Sequence, residues 1–166
     1  AESRNASLAR DYSIEVMPRL AADIEVLAGV IPAGTRIYIP HIEGHSYHDI
    51  AAAAGRFQQF GFKAMPHVPA RAIESRSALD EIVRAYREVG ITEALVLAGA
   101  MKKPAGDFEN SLQLLETGVF EQNGFTRLHF AGHPEGNPVI DVKGAIECLD
   151  EVVLRKQAYV SRASID

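Results

Sequence analysis

An acidic residue, Glu15, stands inside a short apolar stretch, residues 13–18, that predicts a β-strand. Side chains alternate along a strand, so its neighbours Ile14 and Val16 would face away from it. On the inner side of a barrel strand, loss of water disfavours the charged carboxylate and suits it to general-acid catalysis. A buried ion-pair partner or an edge residue would explain the same position equally well.

A histidine, His67, stands between Pro66 and Pro69 where the predicted strand 62–65 leads into a loop. The prolines would stiffen this loop, and an imidazole held at the carboxyl end of a strand could hydrogen-bond to a cofactor. A histidine that caps the loop structurally is an equally good explanation.

Three further histidines, His41, His45 and His48, have spacings that would align on one face of a continuous helix and suggest a metal site. Pro40 and Gly44 interrupt any such helix. The sequence therefore predicts no metal site.

Two loops rich in Gly and Pro follow later apolar stretches. Loop 98–106 has small residues that allow close backbone approach, and Lys102 and Lys103 could meet phosphate. It lacks the Walker spacing, so a solvated loop is the alternative. Loop 132–138 would hold His133 at a strand end, where its ring could lie against a planar ligand.

Each of these residues belongs to a repeated strand, loop and helix unit about 25 to 35 residues long. The predicted strands are 12–17, 35–39, 62–65, 95–97 and 128–130. The predicted helices are 20–27, one from Ser46 to Gly61, one from Ser75 or Ser77 to Gly90, 108–120 and 141–160.

Five such units, without a hairpin signal, predict a parallel sheet of class α/β. A doubly wound sheet and a barrel both fit, and the barrel is favoured because every strand ends in a polar loop and no G-x-G-x-x-G motif is present. A complete (β/α)8 TIM barrel needs about 250 residues. We therefore expect the 166 residues to form a single partial barrel domain containing about the first five units, with the remaining units absent from this chain.

The composition excludes several classes of partner. A net charge of -5, with no basic cluster beyond Lys102 and Lys103, argues against nucleic acid. Cys148 is the single cysteine, which excludes an intrachain disulfide and fits the reducing cytoplasm. No apolar run reaches the roughly 18 residues of a membrane span, so no membrane association is expected.

Four segments, 13–18, 65–67, 93–99 and above all 130–138 (Phe-Ala-Gly-His-Pro-Glu-Gly-Asn-Pro), resemble methylenetetrahydrofolate reductases, in the same order and over nearly the whole chain. The resemblance implies a (β/α)8 barrel with FAD at the carboxyl ends of the strands. It also implies an oxidoreductase of one-carbon metabolism that reduces 5,10-methylenetetrahydrofolate to 5-methyltetrahydrofolate with NADH or NADPH, and we expect a cytoplasmic homo-oligomer.

By this resemblance Glu15 is the general acid that protonates the folate, so that its imidazolidine ring opens to an electrophilic iminium. The implied cofactor-binding residues are His67, Ala98, Gly99, Ala100, Phe108, Ala131, His133 and Asn137. Two of them depart from the family, whose segment at 98–100 usually has Arg-Gly-Asp. Ala98 removes a guanidinium that would meet phosphate, for which Lys102 or Lys103 could substitute, and Ala100 removes a carboxylate that tunes the flavin.

Two alternatives remain open. The substitutions at Ala98 and Ala100 would also fit a paralogous barrel that binds folate or a partner without flavin chemistry. Glu15 with His67 or His133 could instead be the acid and base of an unrelated (β/α) enzyme.

Overall fold

The computed structural model describes residues 12–42, 44–131 and 146–163, with side chains of the last helix from Val153 onward. Strands and helices alternate along these residues. The strands are β1 (Ser13–Glu15), β2 (Arg36–Ile39), β3 (Lys63–Pro69), β4 (Glu93–Leu97) and β5 (Arg127–Phe130). The α-helices are α1 (Ile24–Val30), α2 (Tyr47–Gln59), α3 (Arg76–Glu88), α4 (Ser111–Glu116), α5 (Val119–Gln122) and α6 (Ile146–Arg162).

The five strands form an all-parallel sheet in the order β1-β2-β3-β4-β5. This confirms the predicted parallel α/β class. The order of the described strands follows the chain without reversal, whereas a doubly wound sheet reverses its order at a switch point. The described sheet is therefore compatible with part of a barrel.

The chain divides into two compact units. Of the described residues, those up to His67 together with Ala85–Ile91 form the first unit, and Val68–Arg84 together with those from Thr92 onward form the second. The first unit holds β1, β2, most of β3 and α2, and the second holds β4, β5 and α4 to α6.

The helix ends of the second and third βα units follow rules that depend on the local sequence. Ser46 caps α2, its hydroxyl accepting a hydrogen bond from the Asp49 amide at 3.1 Å. Ser75 caps α3 in the same way, with the Ala78 amide at 3.1 Å. Gly61 and Gly90 follow these helices with φ of 86° and 85°, values that glycine adopts without strain. The predicted starts and stops of both helices are confirmed.

The core of the first unit lies beneath one face of the sheet. Along β2, Ile37 and Ile39 are buried, whereas Arg36 and Tyr38 are half-exposed. The buried face is covered by α2, which presents six buried residues: Ile50, Ala51, Ala53, Ala54, Gly55 and Phe57. This alternation is what a strand with one face under a helix requires.

The second unit repeats this arrangement. Ala94 and Val96 of β4 and Leu128 of β5 are buried, while the residues between them are half-exposed. Phe130 carries the Lys156 ammonium 5.3 Å from its ring centroid, a cation-π contact that brings a buried lysine of α6 against the strand. Burial lowers the pKa of Lys156 below its ordinary value.

Three predicted boundaries were wrong. The first helix begins with a 3₁₀ turn, Pro18–Asp23, before α1. β3 does not end at residue 65 but continues to Pro69, so His67 lies within a strand and not in a loop. A proline can lie in a strand because its φ is compatible with extended backbone. Its cost is one hydrogen bond between strands, because proline has no N–H to donate.

The predicted helix 108–120 is the third error, because it begins later and is interrupted. Asn110 starts α4 through a capping box with Gln113, which leaves Phe108 ahead of the helix. Gly118 then adopts a left-handed φ of 70° and separates α4 from α5. A pattern of apolar residues at helical spacing continues across this turn, which is why periodicity alone did not reveal it.

Two glycine substitutions should change the free energy of unfolding in opposite directions. Gly118→Ala should lower the free energy of unfolding by about 1 kcal/mol, because an alanine is strained at positive φ. Gly29→Ala, within α1 and with open space around its Cβ position, should raise it by about 0.5 to 1 kcal/mol through helix propensity. Urea unfolding of both variants measures the difference, and a stabilising Gly118→Ala would mean that one helix spans residues 111–122.

Candidate functional site

Polar side chains of the first unit lie on the sheet face opposite its aliphatic core. In the register of the parallel strands, Glu15 is paired with Tyr38, and Tyr38 is paired with Met65. Paired residues of neighbouring strands point to the same face of the sheet, and so do residues two positions apart along one strand. Glu15, Tyr38 and His67 therefore share a face.

Glu15 and His67 are brought together on this face. The Nε2 atom of His67 lies 3.7 Å from Oε2 of Glu15, and the two side chains are 12% and 59% exposed. The separation permits an ion pair but is too long for a hydrogen bond. The expectation that Glu15 is desolvated was wrong, because more than half of its side-chain surface is exposed.

Burial determines the charge state of the histidine. Burial lowers the pKa of His67 below its ordinary value, the nearby Glu15 carboxylate acts in the opposite direction, and His41 adds to the lowering. The imidazole is therefore neutral at pH 7. One of its ring nitrogens, Nε2, is buried without a hydrogen-bond partner among the described residues.

The first unit contains two contacts between rings, one of which involves His67. The Tyr38 ring meets His67 edge-on, with 6.2 Å between centroids and 61° between planes. His41 stacks on Tyr47 at 4.5 Å and 11°. Burial, followed by the neighbouring charge of His45, lowers the pKa of His41.

Two further hydroxyl groups of the first unit, those of Tyr47 and Tyr86, are buried. Neither hydroxyl, nor Nδ1 of His41, has a hydrogen-bond partner in the part of the chain that the structure describes. Burial raises the pKa of Tyr47 to about 12 and raises that of Tyr86 further, with the proximity of Tyr47 contributing to Tyr86. Buried polar atoms without partners cost roughly 1 to 3 kcal/mol each and call for a water or ligand partner.

The second unit contains the other loop singled out by the sequence. Its loop 98–106 is held by Arg71: the Arg71 amide donates to the Ala98 carbonyl at 2.9 Å, and the Arg71 carbonyl accepts from the Ala105 amide at 2.8 Å. The Arg71 side chain donates through Nη2 to the Lys102 carbonyl at 2.7 Å. A Cβ on Gly99, where φ is 90°, would lie 2.9 Å from Cβ of Pro69.

The remaining predicted cofactor residues are distributed as follows. Ala98 and Gly99 are half-exposed and Ala100 is exposed, so the tip of this segment is open to solvent. Phe108 is 8% exposed and packs into the core of the second unit. Ala131 directly follows β5 and is half-exposed. His133 and Asn137 lie outside the described residues.

The chain matches no protein-family model. Within the described ranges, no three histidine, cysteine, aspartate or glutamate side chains come together as ligands for a metal ion. None of the described helices combines the length and the apolarity that crossing a bilayer requires.

Sequence reasoning identified Glu15 and His67 but not their surroundings. The position of Tyr38 could have been predicted. It is the one aromatic residue of β2, and it is paired with Glu15 in the neighbouring strand. Tyr86 is fully buried on α3, and the environment of its unpartnered hydroxyl depends on tertiary packing that a local pattern does not reveal. Arg71 carried no local signal, since its contacts are made with a loop some thirty residues later.

The contact between Glu15 and His67 predicts a change in the titration of the histidine. Removing the carboxylate with Glu15→Gln should lower the pKa of His67 further, because the one contribution that raises it is lost. Imidazole resonances followed by NMR between pH 4 and 8, roughly the histidine range, measure this shift. Glu25→Gln on α1 is the control, since Glu25 makes no described contact with His67. A His67 pKa that rises in Glu15→Gln would contradict the geometry.

Proposed function

We propose that the chain is part of a (β/α)8 barrel flavoprotein related to methylenetetrahydrofolate reductases. It would reduce 5,10-methylenetetrahydrofolate to 5-methyltetrahydrofolate with NAD(P)H by way of FAD. The observation that carries the proposal is the pairing of Glu15 with His67 on one sheet face, because the resemblance assigns an acid and a cofactor contact to these two residues.

The strand order supports the barrel. When every parallel strand pairs with the next in the chain, right-handed crossovers all fall on one side of the sheet, as they do in a barrel. The helices then leave the other side of the sheet uncovered at the strand ends, where a barrel binds its ligand. In the first unit this is the side of Glu15, Tyr38 and His67.

The residues present fit a flavin in two respects. The buried Nε2 of His67 can exchange a hydrogen bond with a heteroatom of a planar ring, and the small residues of segment 98–100 leave their backbone approachable. When bound, FAD would carry reducing equivalents from the nicotinamide to the folate. The carboxylate that the family provides near the flavin is missing at Ala100.

Glu15 would donate a proton to the folate nitrogen whose bond to the bridging carbon breaks, and so open the imidazolidine ring to the iminium. A planar ligand lying over this face would take the exposed carboxylate out of water, which disfavours its charged form. His67 would lie beside both the acid and the cofactor, since its Nε2 atom is 3.7 Å from Oε2 of Glu15.

Cofactor uptake tests the proposal directly. The full chain, incubated with FAD and passed through a desalting column, should retain the yellow absorbance and should then oxidise NADH or NADPH with menadione as acceptor. A colourless protein that takes up no FAD would overturn the flavin assignment.

The role of Glu15 predicts a selective loss of activity. Glu15→Gln should lower the rate of folate reduction by about 10² to 10⁴-fold, the usual contribution of a general acid. Transfer from NADH to menadione, which involves no folate, should fall far less. Glu25→Gln should retain both activities, and an equal fall of both in Glu15→Gln would assign the residue to structure.

A second candidate function rests on the side chains of segment 98–100. Ala98 and Ala100 provide neither a cation nor a carboxylate, as expected of a barrel that binds folate or a partner without flavin chemistry. Because Ala100 is exposed, Ala100→Asp can be introduced without steric conflict. Flavin binding that appears only in the Ala98→Arg, Ala100→Asp double variant would support the binding module, whereas flavin chemistry in the unmodified chain would exclude it.

A further inference from the structure

We propose that Arg71 is the positioning residue of loop 98–106, and that it holds this loop in the conformation that meets the phosphate groups of the cofactor. This inference rests on the proposed function.

Arg71 contacts the loop at its beginning, middle and end. Its backbone pairs with Ala98 and Ala105, and its guanidinium donates to the Lys102 carbonyl. The three bonds are 2.7 to 2.9 Å long, within the normal range. A nine-residue loop held at three spaced points loses most of its conformational freedom.

Two glycines allow the loop to approach the segment around Arg71. At Gly99 a side chain would press on Pro69, and at Gly106 a Cβ would overlap the backbone carbonyl of Glu74. The loop is therefore docked at both ends against residues 69–74. The guanidinium of Arg71 lies across the middle of this docked segment.

The side chains of segment 98–100 explain why the backbone of the loop must be positioned. Ala98, Gly99 and Ala100 have no hydrogen-bond donor in their side chains, so recognition of an anion there depends on backbone N–H groups. Such groups bind phosphate well only when the backbone is preorganised. Arg71, Lys102 and Lys103 add positive charge to the same loop, opposed by the exposed carboxylates of Glu74 and Asp107.

The test compares Arg71→Gln, Arg71→Lys and a matched control, Arg76→Gln, in the full chain. Arg76 also donates through Nη2 to a backbone carbonyl, that of Thr117 at 3.2 Å, but away from the loop. Arg71→Gln removes the charge and the planar donor, while Arg71→Lys keeps the charge. The variants are measured for affinity toward FAD and toward riboflavin, which has the flavin ring without phosphate.

Arg71→Gln should weaken FAD about tenfold and leave riboflavin nearly unchanged, since a charge-assisted hydrogen bond of this kind is worth about that factor. Arg71→Lys should recover part of the loss, and Arg76→Gln should match the unmodified chain. Equal losses for FAD and riboflavin, or equal losses in Arg71→Gln and Arg76→Gln, would overturn the proposal.

Amide hydrogen exchange of residues 99–106, measured without ligand, separates this inference from the proposed function. Faster exchange in Arg71→Gln alone is expected. If the unmodified chain binds no FAD, the flavin function fails together with the phosphate assignment, while faster exchange would still establish Arg71 as the residue that orders the loop. Unchanged exchange in Arg71→Gln would overturn that positioning role even in a chain that binds FAD.

Discussion

The register of the first three parallel strands determines which side chains of this protein can meet. Ile37 and Ile39 occupy one face of β2 and are fully buried, and each contributes roughly 1.5 to 3 kcal/mol through removal of apolar surface. A slip of one residue would expose both and bury Tyr38 and Arg36 in their place. Burial of the aliphatic face therefore provides the free energy that fixes the register. As a consequence, Glu15 and His67 lie side by side on the opposite face.

That opposite face divides its two ionisable groups between different environments. The side chain of Glu15 is 59% exposed, whereas that of His67 is 12% exposed and burial lowers the pKa of its imidazole. Nε2 of His67, Nδ1 of His41 and the hydroxyls of Tyr47 and Tyr86 are buried without a hydrogen-bond partner among the described residues, so a water or a ligand could supply one.

The sequence predicted the elements better than their environment. Caps and stops such as Ser46 and Gly90 act through bonds to residues within one turn, so the local sequence contains the whole signal. The exposure of Glu15 depends on what packs over this face of the sheet, which is not encoded next to the residue. The break at Gly118 was missed because apolar periodicity continues through it. Arg71 was missed because its partners lie far along the chain.

The described contacts that hold the loop after β4 do not involve the side chains at positions 98 and 100. Two of its three contacts with Arg71 use main-chain atoms of both partners, and the third uses the carbonyl of Lys102, so none depends on the side chains at positions 98 and 100. Backbone N–H groups held in this way can still bind an anionic group, whereas tuning a flavin requires a charge near the ring. Binding of an anion and tuning of a flavin therefore depend on different groups. In the proposed flavoprotein, the backbone of Ala-Gly-Ala would serve the first, and no side chain of this segment would serve the second.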